Sequence, residues 1–143
     1  MEERVERNFH VGDIIHVVDY WGTNDGSQAF EATATILKVN EEGRVFSALL
    51  YGDTCQTYSF NDFGRLVFDD YDDAEAAANA LPRPKTMVFQ RIGDRVYKKH
   101  VTGINGKYNE KTYDLFVCLD KGNPVSIKEI GYSLFLTEEE ARA

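Results

Sequence analysis

Two stretches of this chain align with each other without a gap. Tyr58-Ser-Phe-Asn-Asp-Phe-Gly-Arg-Leu-Val-Phe68 lies over Val125-Ser-Ile-Lys-Glu-Ile-Gly-Tyr-Ser-Leu-Phe135. Ser59, Gly64 and Phe68 recur as Ser126, Gly131 and Phe135, and the apolar pairs Phe63/Ile130 and Val67/Leu134 keep their places. Each stretch runs into an acidic, alanine-containing helix signal, Asp72-Asp-Ala-Glu-Ala-Ala-Ala in the first and Glu138-Glu-Glu-Ala-Arg-Ala in the second. A Gly-Asp pair upstream of each, in Val11-Gly-Asp-Ile-Ile-His-Val and Ile92-Gly-Asp-Arg-Val-Tyr-Lys, reads as a matching strand opening. A chain that repeats itself in this way is built from copies of one small unit, so the pattern predicts a tandem duplication.

Between those landmarks the sequence reads as short strands. In the first copy they are expected at 13–19, 30–39, 44–51, 57–60 and 65–68, separated by turn signals at Asn24-Asp-Gly, Asn40-Glu-Glu-Gly and Gly52-Asp. In the second copy 112–119 alternates, with Tyr113, Leu115, Val117 and Leu119 on one face and Asp114, Phe116 and Cys118 on the other. An apolar Phe116 on the outer face predicts a cover for it, from the first copy, its helix or a second chain. About five short strands per copy predict a mainly β fold of two tandem small SH3-like or barrel modules, each ending in a short α-helix. Gly64 and Gly131 are expected in a tight turn before the last strand. Thr137 followed by Glu140 has capping-box spacing, and Asp69 or Asp70 is placed to cap the first helix. The prolines of Leu81-Pro-Arg-Pro-Lys85 predict an extended linker at 82–85, between an acidic module at 1–81 and a mildly basic one at 86–143.

Charge divides unevenly between the halves. Residues 1–84 carry 6 Lys/Arg against 16 Asp/Glu, a net of −10, while residues 85–143 carry 10 against 8, a net of +2. That division bears on partners and not on fold. No apolar run approaches the roughly 18–20 residues that span a bilayer. The opening Met-Glu-Glu-Arg-Val-Glu-Arg has neither the basic nor the apolar region of a signal peptide. Cys55 and Cys118 have no paired spacing, and two free thiols fit a reducing cytoplasm.

The ending Glu129-Ile-Gly-Tyr-Ser-Leu-Phe-Leu-Thr-Glu-Glu-Glu-Ala resembles a recurrent tail in small uncharacterised β-rich proteins of gut Firmicutes and their phages and mobile elements. The Gly-Asp-opened β module is similar too. The first copy follows the pattern loosely, since Asp69-Asp70-Tyr71 replaces the Leu-Thr before the helix. The resemblance implies a bacterial or mobile-element origin and carries no activity with it.

The chain offers little to catalysis. His10, Asp13 and His16 have H-x-x-D-x-x-H spacing, but they straddle a turn and a strand, where Asp13 and His16 diverge. The expectation is that Asp13 stabilises the turn and His16 is a partly buried strand residue. Cys55, in an expected turn, has no base and orienting group beside it. Gly103-Ile-Asn-Gly106 reads as a turn, because no Lys-Ser/Thr follows as in a phosphate loop. The acidic run 69–75 lacks a calcium-loop pattern. No catalytic residue, metal ligand or cofactor is therefore expected. Two candidate surfaces remain. Tyr20 and Trp21 open a loop rich in Gly, Asn, Asp and Ser, where Trp21 is either an exposed aromatic or a plug for the barrel end. Tyr97, Lys98, Lys99, Lys107, Tyr108 and Lys111 combine cations with stacking rings, as single-stranded nucleic acids require. Against that stands the acidic first half, with Asp69, Asp70, Asp72 and Asp73. The residues point to a non-enzymatic binding or adaptor role with a protein partner, for example a host nucleic-acid-handling or defence protein. Nucleic-acid binding by the second module is the alternative.

Overall fold

The computed structural model describes residues 7–23 and 26–143. The opening stretch 1–6 and the turn expected at Asn24-Asp25 lie outside the described residues. Strands β1 (Ile14–Thr23), β2 (Gly26–Asn40), β3 (Val45–Leu50), β4 (Thr54–Ser59) and β5 (Val67–Phe68) form one sheet in the order β4-β3-β2-β1-β5, and helix α1 (Tyr71–Ala80) follows. Strands β6 (Met87–Ile92), β7 (Arg95–Tyr108), β8 (Tyr113–Leu119), β9 (Val125–Ser126) and β10 (Leu134–Phe135) form a second sheet in the order β10-β6-β7-β8-β9, followed by α2 (Glu138–Arg142). Read from its other edge, the second sheet has the strand order of the first. The fold is mainly β, with antiparallel pairing in both sheets.

The aligned stretches are built by the same hydrogen bonds. After β4 the chain makes a 3-10 turn at Phe60–Asp62, and after β9 another at Ile127–Glu129. Ser59 Oγ accepts from Asn61 N and Ser126 Oγ from Lys128 N. Gly64 N donates to Val67 O, and Gly131 N to Leu134 O, both at 2.8 Å. The two glycines adopt φ of 87° and 91°, a region that a Cβ disfavours. Phe68 pairs with His16 and Phe135 with Phe89, at corresponding places, with Phe135 buried and Phe68 half-buried.

The matching start lies elsewhere than the Gly-Asp pairs suggest. Gly12-Asp13 precedes β1, whereas Gly93-Asp94 is the hairpin turn between β6 and β7. The true counterpart of His10-Val-Gly-Asp13 is Arg83-Pro-Lys-Thr86. Asp13 N donates to His10 O (3.1 Å) and Thr86 N to Arg83 O (2.9 Å). Gly12 N bonds Ile36 O and Lys85 N bonds Val101 O, each at 2.8 Å. The third turn residue has positive φ in both, 91° at Gly12 and 74° at Lys85. Pro84 sits at the turn position that a proline's fixed φ suits. Residues 83–86 are thus the tight turn that opens β6, and not an extended connector. Three further segments differ from expectation. Tyr20-Trp21-Gly22 continues β1 and Gly103–Gly106 lies within β7, so neither is a loop. Cys55 sits on edge strand β4, opposite Leu49.

Two compact units share the residues in a way that crosses the repeat. One comprises the described residues up to Val18, Glu31–Ala77 and Tyr108–Tyr113; the other comprises Asp19–Phe30, Ala78–Lys107 and Asp114–Ala143. They cut the chain differently from the expected 1–81 and 86–143, because the hairpin arms of β1/β2 and β7/β8 are long. The first unit buries Ile15, Val17, Ala34, Ile36, Phe46, Leu50 and Leu66, around which rings stack in series. Phe9 stacks on Phe46 at 4.6 Å, Phe46 on Tyr58 at 5.7 Å, and Tyr113 meets Tyr58 edge-on at 5.7 Å. The second unit buries Val88, Val101, Ile104, Leu115, Val117, Leu134 and Ala141. Strict alternation on β8 leaves Phe116 half-buried on the outer face, where Lys107 Nζ stands 5.5 Å from its ring centroid.

Candidate binding surfaces

Helix α1 begins beside four aspartates. The Asp70 carbonyl accepts the first helical bond from Ala74 N (3.2 Å), and carboxylates in a first turn complement the helix dipole. Asp69, Asp70, Asp72 and Asp73 are all exposed, so the structure brings this part of the predicted surface together. Asp69 Oδ1 is engaged by Arg7 Nε at 2.6 Å, so its carboxylate serves an ion pair rather than a helix cap. Tyr71 is half-exposed within the same turn. A hydrogen bond and the charge of Glu75 push its phenol above the ordinary tyrosine range.

The histidine–aspartate spacing resolves into two separate structures. Asp13 Oδ2 accepts from His10 N at 3.0 Å and stands 3.3 Å from Arg7 Nη1, which fixes the turn. His16, half-buried on β1, places Nδ1 2.7 Å from Glu31 Oε2, and its ring meets Tyr71 edge-on at 6.0 Å. Thr33 Oγ1 donates to that same Glu31 oxygen at 3.3 Å.

The basic, tyrosine-rich set does not converge. Along β7 successive side chains alternate, so Tyr97 and Lys99 face one side of the sheet and Lys98 the other. Lys99 Nζ donates to Gln90 Oε1 and lies 6.0 Å from the Tyr97 ring centroid. Lys107 covers Phe116 as described. Tyr108 falls in the first unit, where its hydroxyl donates to Cys55 O at 2.6 Å and its ring tilts against Tyr113 at 5.4 Å. Lys111 also falls in the first unit, in a turn tied to Asn109 Oδ1, and borders an open cleft of about 490 Å³ with Glu42 and Glu110. Tyr20 is half-buried; Trp21 is 51% exposed on β1 and meets Phe30 edge-on at 6.4 Å.

Among the described residues, three titrating groups stand apart from their ordinary values. Besides Tyr71, burial pushes the Cys118 thiol up. The backbone N–H of His100, 3.0 Å from Asp120 Oδ1, holds that exposed carboxyl below the usual range. Among the described residues, no group of three or more His, Cys, Asp and Glu is arranged to hold a metal ion, and no helix is long and apolar enough to cross a membrane. No family model matches the chain, and neither a curated protein nor a solved structure does.

Proposed function

We propose that this chain is a non-enzymatic binding or adaptor protein of the cytoplasm, made of two tandem barrel-like modules, whose partner is a protein. The shared strand order and the repeated turns support the tandem reading. The observation that carries the binding reading is the exposed acidic turn of Asp69, Asp70, Asp72 and Asp73 around half-exposed Tyr71, in a half of the chain with a net charge of −10. Clustered carboxylates beside an aromatic ring suit a basic protein surface, and such a surface steers association electrostatically. The likeness of the 129–141 tail to small proteins of Firmicutes, their phages and mobile elements favours a host nucleic-acid-handling or defence protein as that partner.

Nucleic-acid binding is the weaker reading, because the basic residues of the second half are divided between faces and several are already engaged. Capture from host lysate with the native chain and with Asp69, Asp70, Asp72 and Asp73 all changed to Asn tests the proposal. A protein retained by the first and lost from the second is expected. The same proteins on both would overturn it. So would DNA or RNA binding with a steep salt slope, the signature of phosphate contacts.

A further inference from the structure

The turn bonds that equate Ile36 with Val101 also set the neighbouring positions of the two sheets in correspondence. Two residues back along the strand, buried Ala34 in the first sheet corresponds to Lys99 in the second. Counting likewise from Asp13 and Thr86, buried Val17 corresponds to Gln90. The second unit thus carries a polar pair where the first has apolar core. Lys99 lies opposite fully buried Val88, and the ammonium of this half-buried side chain donates to Gln90 Oε1. Among the described residues no carboxylate is paired with it; Gln90 and the Tyr97 ring are its partners. Gly122 closes the other side. A Cβ there would stand 2.9 Å from Lys99 Nζ, and its φ of +91° suits glycine alone.

A cation taken partly out of water costs free energy unless an anion answers it. Two ammonium protons remain beyond the one Gln90 accepts. With its oxygen accepting from Lys99, Gln90 keeps its amide NH₂ as a further donor. Ile92, 55% exposed, and Tyr97, 41% exposed, flank these donors with apolar surface. We infer that Lys99, Gln90 and Tyr97 form a receiving site for a single carboxylate on a protein partner, with Ile92 and Tyr97 holding an adjoining apolar side chain. One cation matches one monoanion, whereas a polyanionic nucleic acid would be repelled by the chain's net charge of −8. This site rests on the binding reading above and deepens it on the second unit.

The test is an amide-resolved NMR titration with a terminally blocked Leu-Glu-Leu tripeptide. Its Leu-Gln-Leu analogue, inorganic phosphate and a short deoxythymidine oligonucleotide are the other arms. Saturable shifts at Tyr97, Lys99 and Gly122 are expected with the glutamate peptide and not with the glutamine one. Lys99→Gln should weaken that response at least tenfold, while Lys128→Gln, which removes an exposed cation elsewhere, should leave it unchanged. Equal responses to both peptides, no saturable response, or tighter binding of phosphate or oligonucleotide would overturn the assignment. If Lys99→Gln fails to fold, the peptide comparison on the native chain still decides. A lysate partner that still requires the four aspartates, alongside a failed titration, would sink this site alone.

Discussion

Cys55 and Cys118 sit in opposite surroundings. Cys55 is exposed on edge strand β4, whereas Cys118 is half-buried on β8 and burial raises its thiol pKa. The thiolate is the reacting form, so raising the pKa lowers the reactive fraction at neutral pH. Iodoacetamide at pH 7.5 should therefore modify Cys55 several-fold faster than Cys118, as peptide mass spectrometry would read. The rate at Cys118 should keep climbing as the pH is raised through 9. Equal rates would mean that β8 opens freely. Sequence alone placed Cys55 in a turn, because Gly52-Asp-Thr reads as one; the turn is real but ends at Asp53. Phe9 shows the reverse case. It is 3% exposed and stacked on Phe46, yet it precedes the first strand in a stretch with no periodic signal. Its burial is decided by a long-range ring contact that no local pattern reveals.

At the scale of elements, the endings of the two sheets are alike and their helices are not. Helix α1 has ten residues and α2 five. A five-residue helix cannot hold itself, since nucleation is unfavourable and propagation adds too few bonds to offset it. Thr137 caps α2, its Oγ1 accepting from Glu140 N at 3.2 Å. Arg91 then clasps the far end. Its guanidinium donates to Ala141 O (3.3 Å), Ala143 O (3.1 Å) and Tyr132 O (3.1 Å), stacked 5.0 Å from the Phe135 centroid. In the first sheet the same position is buried Val18: Val18 N bonds Leu66 O, and Arg91 N bonds Ser133 O, both at 2.8 Å. Arg91→Ala should cost about 1.5–3 kcal/mol in urea unfolding, the range for hydrogen bonds to a charged group. Hydrogen exchange at Ala141 should accelerate more than at Val88. Arg91→Lys should recover little, because an ammonium cannot fork across several carbonyls. The Thr137 cap was legible in the sequence, as were the turns at Gly64 and Gly131, because each depends on residues within a few positions. The clamp was not, since Arg91 meets its partners 41 to 52 positions away. Lys98 and Lys99 are divided between faces of β7 for a related reason: neighbours in sequence on a strand are not neighbours on a face.

At the scale of the molecule, each compact unit contains residues from both halves of the sequence. The first needs Tyr108–Tyr113, whose rings engage Tyr58 and the Cys55 carbonyl, and the second includes Asp19–Phe30, where Gln28 accepts from Arg83 at 3.2 Å. Fragments 1–81 and 86–143, made separately, should each lack a cooperative thermal transition. The full chain should unfold in one transition by circular dichroism and by tyrosine fluorescence. A sharp transition in either fragment would show that its half can close its core unaided. The repeated turns are readable from the Ser-Gly-Phe landmarks because local bonds build them. The sharing of arms is not, because it depends on how far β1, β2, β7 and β8 extend.

The place of Tyr108–Tyr113 in the first unit has a consequence for synthesis on the ribosome. Domains ordinarily form in N-to-C order as they emerge. Here Ala77 is made well before the segment that completes the unit. At about 5–20 residues per second, the intervening translation takes about 2–7 s. During that time Tyr58, already stacked on Phe46, lacks the edge-on ring of Tyr113, and the Cys55 carbonyl lacks the Tyr108 hydroxyl. Nascent molecules therefore carry a ring cluster still missing two tyrosines, which the finished protein supplies.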